Sequence, residues 1–199
     1  MILLAGSERF LFNSMNVQTK RFDFFTRFIH MGLVVFGIGA WLTGELAEDY
    51  DESADWGFTT HSWAGMALAV FILLRILYGI FGPSTIRFTS WVPYNKERLI
   101  LVWEDMLTLL SLTLPDRPAH IGLSGLVQTF GLLIFSWMAL TGSLLFFYLE
   151  PGVKTTGLLH LVEELHEVGE ELIPVYLVLH VGAVILHLFT DRSFLKRIF

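Results

Sequence analysis

Four stretches of the chain are almost unbroken in apolar residues, and each is long enough to cross about 30 Å of hydrocarbon as a helix. They cover roughly 24–43, 61–81, 121–147 and 172–190, and Arg75 is the one formal charge deep within any of them. A fifth segment, 98–112 (RLILVWEDMLTLLSL), is apolar but too short to cross and carries Glu104 and Asp105. It predicts a helix lying at the membrane interface. No repeat, low-complexity tract or domain boundary divides the pattern. The expected architecture is all-α and integral to the membrane, a four-transmembrane-helix bundle forming a single domain over 1–199. The first twenty residues start apolar but have neither a basic leading region nor a small-residue cleavage site, so they do not read as a signal peptide. Met15 stands as an alternative start.

The polar positions between these spans give a direction. With the N-terminus inside, the inner segments hold Arg9, Lys20, Arg21, Arg27, Arg87, Lys96, Arg98, Arg117, Arg192, Lys196 and Arg197, leaving Lys154 outside and Arg75 in the second span. The positive-inside rule therefore puts both termini in the cytoplasm. The outer segments are acidic: Glu45, Glu48, Asp49, Asp51, Glu52 and Asp55 in the first, and Glu150, Glu163, Glu164, Glu167, Glu170 and Glu171 around the second. These read either as solvated loops or as a negative surface that steers a basic partner by its field. The net charge of −6 says little alone because the charges are segregated. At 54% hydrophobic and 16% charged residues, the composition departs from that of a soluble domain. The chain has no cysteine, which excludes disulfides, thiolate-bound metal, all-cysteine iron–sulfur clusters and the CxxCH attachment of c-type haem.

Against this apolar background the histidines carry the chemistry. Histidine in a lipid-spanning helix is costly, and rare unless something binds it. His180 lies within the fourth span and His166, fourteen residues earlier, at its outer entry. That interval is almost four turns and returns to nearly the same face about 21 Å further along. His61 opens the second span on the outer side, level with His166. His30 and His180 both fall in the inner half. The pairs His61/His166 and His30/His180 therefore suit two bis-histidine haems at two membrane depths, with no coordination site left for a substrate. Arg75 follows His61 by the same fourteen residues, so it shares that face at the inner level. A buried guanidinium needs a counter-anion, and a haem propionate is a natural one. Arg27, one turn before His30, either serves similarly or sits among headgroups. His187, seven residues after His180, faces a propionate, a quinone headgroup or a neighbouring helix. His120 and His160 fall at loop or span-edge positions and read as surface residues. Gly65, Gly37 and Gly182 lie close to the histidines, where glycine permits the approach of a macrocycle or of another helix. Isolated membrane histidines usually bond across helix interfaces, but four at matched depths do not fit that pattern. Non-haem metal transport would favour carboxylates, and the four spans hold no Asp or Glu.

These residues resemble the bacterial di-haem cytochromes b of the cytochrome b561 family, which includes the membrane subunits of nickel–iron hydrogenases. The resemblance rests on RFIH at Arg27–His30, HSWAG at His61–Gly65 followed by Arg75, and HEVGEELIPVYLVLHVGAVILH at His166–His187. RILYGIFGPSTIRFTSW at Arg75–Trp91 is similar to the stretch after the second span in the hydrogenase-type branch. The likeness covers roughly residues 20–197. It implies a bundle enclosing two b-type haems, ligated from spans one, two and four, with span three contributing no ligand. Two departures stand out. Many members carry His-Trp at the first ligand where this chain has His30-Met31. The hydrogenase-type branch often opens its third span with His-Asn-Pro where this chain reads His120-Ile121-Gly122.

The expected function is transmembrane electron transfer between membrane quinone and an outer-side, periplasmic redox partner, in a bacterial inner membrane. The partner would be a c-type cytochrome or a hydrogenase-like subunit. The expected cofactors are two haem b, with quinone as exchangeable substrate near His187; no catalytic side chain and no nucleic acid are implied. A self-sufficient superoxide:quinone oxidoreductase is the first alternative, although it would favour a basic funnel where the outer face is acidic, and a histidine-lined metal transporter ranks behind it.

Overall fold

The computed structural model describes residues 22–44, 56–115, 121–149 and 154–190. Among the described residues six helices follow one another: α1 (Phe24–Leu42), α2 (Trp56–Phe81), α3 (Phe88–Trp91), α4 (Lys96–Leu110), α5 (Leu123–Tyr148) and α6 (Leu158–Thr190). Four of them, α1, α2, α5 and α6, are long and apolar enough to cross a membrane. Large apolar side chains stand on their outer faces, with Leu133 and Leu140 each 65% exposed and Val178 72% exposed. Contiguous apolar surface of this extent belongs against lipid rather than water.

α1 starts at Asp23, whose carboxylate accepts the Thr26 N–H at 3.0 Å and the Thr26 hydroxyl at 2.6 Å. This satisfies donors that the first turn cannot pair internally. The same carboxylate accepts the Tyr78 hydroxyl of α2 at 3.0 Å, tying the two helices together at one end. α2 stops at Gly82-Pro83, because proline cannot continue the hydrogen-bond ladder. Arginines then knit the connection: Arg87 Nε donates to the Gly82 carbonyl at 2.7 Å, and Arg98 donates to the carbonyls of Val92 at 2.7 Å and Thr89 at 2.5 Å.

α4 corresponds to the short apolar helix expected over 98–112. Its buried face carries Asp105, 3% exposed, which accepts the N–H of Leu123 at 2.9 Å. Leu123 opens α5, whose own N-cap is Gly122, at φ 69° and without a side chain to cap with. The connecting helix thus supplies the cap that the membrane helix lacks. Leu99, Trp103 and Leu110 stay exposed on α4, which suits a helix lying at an interface.

The largest departure from the expected spans is α6. It begins at Leu158, fourteen residues before the predicted 172, and runs for 33 residues. Hydropathy alone ends a span where glutamates begin, yet glutamate is a good helix former. Glu163, Glu164, Glu167, Glu170 and Glu171 accordingly lie on the first turns of α6 and not in a loop. His160 is exposed on its first turn, 3.6 Å from Glu163 and 3.5 Å from Glu164. The remaining outer acidic residues, Glu45 to Asp55 and Glu150, lie outside the described residues, as does His120. α2 likewise starts five residues before the predicted 61.

The membrane helices pack in the order α1–α2–α5–α6, with α4 docked on α5. Ile134, Met138 and Ile173 form the buried seam of α5 and α6, joined by Trp41, Phe130, Phe135, Tyr176 and Leu177. Small residues permit this approach, as is usual where lipid gives no hydrophobic drive to associate. Gly131 of α5, for example, leaves the space that the Tyr176 ring of α6 fills.

Candidate functional site

The fold brings together both predicted histidine pairs. The rings of His61 on α2 and His166 on α6 have centroids 6.2 Å apart and planes at 90°. The rings of His30 on α1 and His180 on α6 have centroids 6.4 Å apart and planes at 54°. These separations are too long for a direct hydrogen bond between ring nitrogens, and they match one metal held between two imidazoles. A metal–nitrogen bond of about 2 Å and about 1 Å more to each ring centre put the centres roughly 6 Å apart. His166 and His180 share one side of α6 even though Pro174, between them, removes one helical donor. Fourteen residues of rise separate the two levels by about 21 Å.

Each ring of the first pair is held from behind. His61 Nδ1 lies 2.9 Å from the carbonyl of Ala40. That carbonyl is accessible because α1 ends two residues later, at Leu42. His166 Nδ1 lies 2.8 Å from the Thr141 hydroxyl of α5. A Cβ at Gly142 would stand 3.0 Å from His166 Cε1, so any other residue there would press on this ring. In the second pair, His180 stacks on Tyr176 one turn earlier, with centroids 5.3 Å apart and planes at 19°. Sequence reading missed Thr141, Gly142, Tyr176 and the Ala40 carbonyl. The only signal for the first two was a Thr-Gly step inside an otherwise apolar span.

The other predicted residues divide. Arg75 points its guanidinium at the rings of Phe88 and Trp91, 5.3 Å and 5.5 Å from their centroids. Its Nη1 is buried with no hydrogen-bond partner among the described residues. A buried guanidinium nitrogen left in that state is suited to an anionic oxygen. Arg27 and His187 lie on α1 and α6 toward the His30/His180 end of the bundle. A Cβ at Gly65 or Gly182 would meet nothing within 4 Å among the described residues. Gly65 sits one turn from His61 on the same face, so open space lies beside that ring, as a flat macrocycle requires; Gly182, two residues from His180, lies on nearly the opposite face of α6. Gly37 differs: its Cβ position meets Phe135 at 3.4 Å and Leu68 at 3.7 Å, so it serves helix packing.

The family profile described as prokaryotic cytochrome b561 matches residues 21–199. The chain belongs to the prokaryotic cytochrome b561 family. Comparison with curated proteins and with solved structures gives no match. As a cytochrome b561 it is a multi-pass membrane protein whose family activity is transmembrane electron transfer by b-type haem. Within this cytochrome b561, the two imidazole pairs both reach α6, one from α2 and one from α1. No three His, Asp or Glu side chains converge on a single metal-sized point among the described residues.

Proposed function

We propose that this protein carries electrons across the bacterial cytoplasmic membrane between a membrane quinone and a redox partner on the outer side. His61 and His166 hold one b haem at the outer level, and His30 and His180 hold a second at the inner level. The observation that carries this reading is the pair of ring separations, 6.2 Å and 6.4 Å, at two depths on α6. Haem b held by these imidazoles would supply reversible one-electron chemistry.

The remaining work falls to the chain. The Ala40 carbonyl and the Thr141 hydroxyl orient the outer imidazoles, and Tyr176 backs His180. Arg75 offers its unpartnered Nη1 to a propionate, and Arg27 offers a second cation at the inner level. His187, at the inner end of α6, takes a propionate or a quinone headgroup. Both termini face the cytoplasm by the distribution of basic residues. At 33 residues, α6 is about 50 Å long, more than the roughly 30 Å of hydrocarbon needs. Its first turns therefore project outside, presenting exposed Glu164, Glu167 and Glu171. This surface steers a basic docking face, such as that of a c-type cytochrome or a hydrogenase-like subunit. The same negative field would repel superoxide, which disfavours a self-sufficient superoxide:quinone oxidoreductase.

A pyridine haemochrome assay on the purified chain is expected to give about two b haems per chain, from four axial ligands. His166→Ala is expected to remove the outer haem and spare the inner. One haem in the wild type, or equal loss at both levels in a folded His166→Ala protein, overturns the pairing.

A further inference from the structure

α5 contributes no histidine to either pair, yet it touches one of the rings. Its Thr141 is 6% exposed and buried among apolar neighbours. Three polar atoms surround its hydroxyl: the Trp137 carbonyl at 2.9 Å, the Met138 carbonyl at 3.4 Å and His166 Nδ1 at 2.8 Å. A hydroxyl has one hydrogen to donate. If that hydrogen goes to Nδ1, the imidazole carries its own proton on Nε2 and cannot bind a metal there. If it goes to the Trp137 carbonyl, which can only accept, the hydroxyl oxygen is left to accept Nδ1–H, and Nε2 is bare. The opposing ring has no such choice. His61 Nδ1 faces the Ala40 carbonyl, which can only accept, so Nδ1 carries the proton and Nε2 is bare.

We propose that Thr141 is a positioning residue for the outer haem ligand: its hydroxyl accepts Nδ1–H of His166 and donates to the Trp137 carbonyl, fixing the tautomer and plane of that imidazole. This rests on the haem reading above. Two anchors on different helices, Ala40 on α1 and Thr141 on α5, hold the outer imidazoles at right angles. Both anchors are uncharged, so neither draws the Nδ1 proton away as a carboxylate would. The ligands stay neutral but are made somewhat more electron-donating, as hydrogen bonds behind metal-bound histidines generally do. Gly142, next in sequence, leaves the ring its room. Trp137 Nε1 donates to the Leu165 carbonyl at 2.9 Å, locking α5 to α6 beside the ligand itself.

The test compares Thr141→Val, which keeps the shape and removes the hydroxyl, with Thr141→Ser, which keeps the hydroxyl. Both are purified as the full chain with its haem. Axial imidazoles at right angles leave the iron dπ orbitals nearly degenerate, which gives a strongly anisotropic low-spin ferric EPR signal. In Thr141→Val this signal is expected to lose anisotropy and the outer haem's midpoint potential to rise, because the ligand donates less to the ferric iron. The inner haem should keep its potential, and Thr141→Ser should behave as wild type. If valine instead releases the outer haem, its retention in the serine variant supports the same role. A wild-type signal and potential in Thr141→Val overturn the proposal. So does equal alteration, or equal haem loss, in the valine and serine variants, since shape and not the hydroxyl would then matter. Absence of a second b haem from the wild-type protein would instead sink the di-haem reading.

Discussion

At the scale of single residues, the four histidines were legible because depth in a membrane helix is linear in residue number. A fourteen-residue interval is a distance of about 21 Å whatever surrounds it. The groups behind the imidazoles were not legible. A backbone carbonyl has no residue identity, and a lone threonine in an apolar span usually bonds its own preceding turn, as Thr129 does to Gly125 at 2.8 Å. Arg75 shows the same division. Its interval from His61 stands in the chain, while its placement against Phe88 and Trp91 required the connection after α2 to fold back. Gly142→Ala tests how tightly the outer ring is held. The added Cβ would stand 3.0 Å from His166 Cε1. Overpacking of this kind costs about 1–3 kcal/mol, so haem affinity at the outer level should fall by roughly tenfold while the inner level is spared. Competition with an apo-haemoprotein acceptor measures this, and equal retention at both levels would show that the ring has slack.

At the scale of elements, hydropathy located the spans well and their ends poorly. α6 extends toward its N-terminus through five glutamates, because helix formation depends on backbone hydrogen bonds and not on an apolar surface. α5 starts at a glycine because Asp105, eighteen residues upstream of Leu123, supplies the missing cap from a different helix. No local signature could announce that contact. At the opposite corner, Asp23 joins α1 to α2. Burial pushes its carboxyl upward, but the hydrogen bonds from Thr26 and Tyr78 outweigh this and hold it below the ordinary aspartate value. A lowered folded-state value means that the stabilisation is complete above the unfolded-state value, about 4, and is lost as pH falls through the folded one. Asp23→Asn should therefore melt below wild type near neutral pH, and the difference should shrink under acid conditions below about pH 4. A melting difference unchanged across that range would remove the charge from the explanation.

At the scale of the whole molecule, the packing order α1–α2–α5–α6 leaves both histidine pairs bridging from the first two helices to the last. α6 thereby serves both levels, and its acidic turns, Glu163 to Glu171, flank the His166 level on either side. The orientation of this arrangement can be read directly, since the chain has no cysteine of its own. Ser53→Cys, between α1 and α2, should react with a membrane-impermeant maleimide added to intact spheroplasts, and Ser193→Cys, beyond α6, only after lysis. The reverse labelling would invert the assigned direction of the bundle. What the chain determined by itself is its one-dimensional content: four spans and two histidine levels, with lysine and arginine supplying the direction proposed for them. Hydropathy, charge and helical rise all add along the chain, so each can be summed without knowing any neighbour. Only the tertiary structure decided which helices touch, which carbonyl and hydroxyl stand behind the outer imidazoles, and which glycines give space to a ring or to another helix. Those contacts depend on directions and separations between residues distant in the chain, where a shift of an ångström separates a hydrogen bond from a gap.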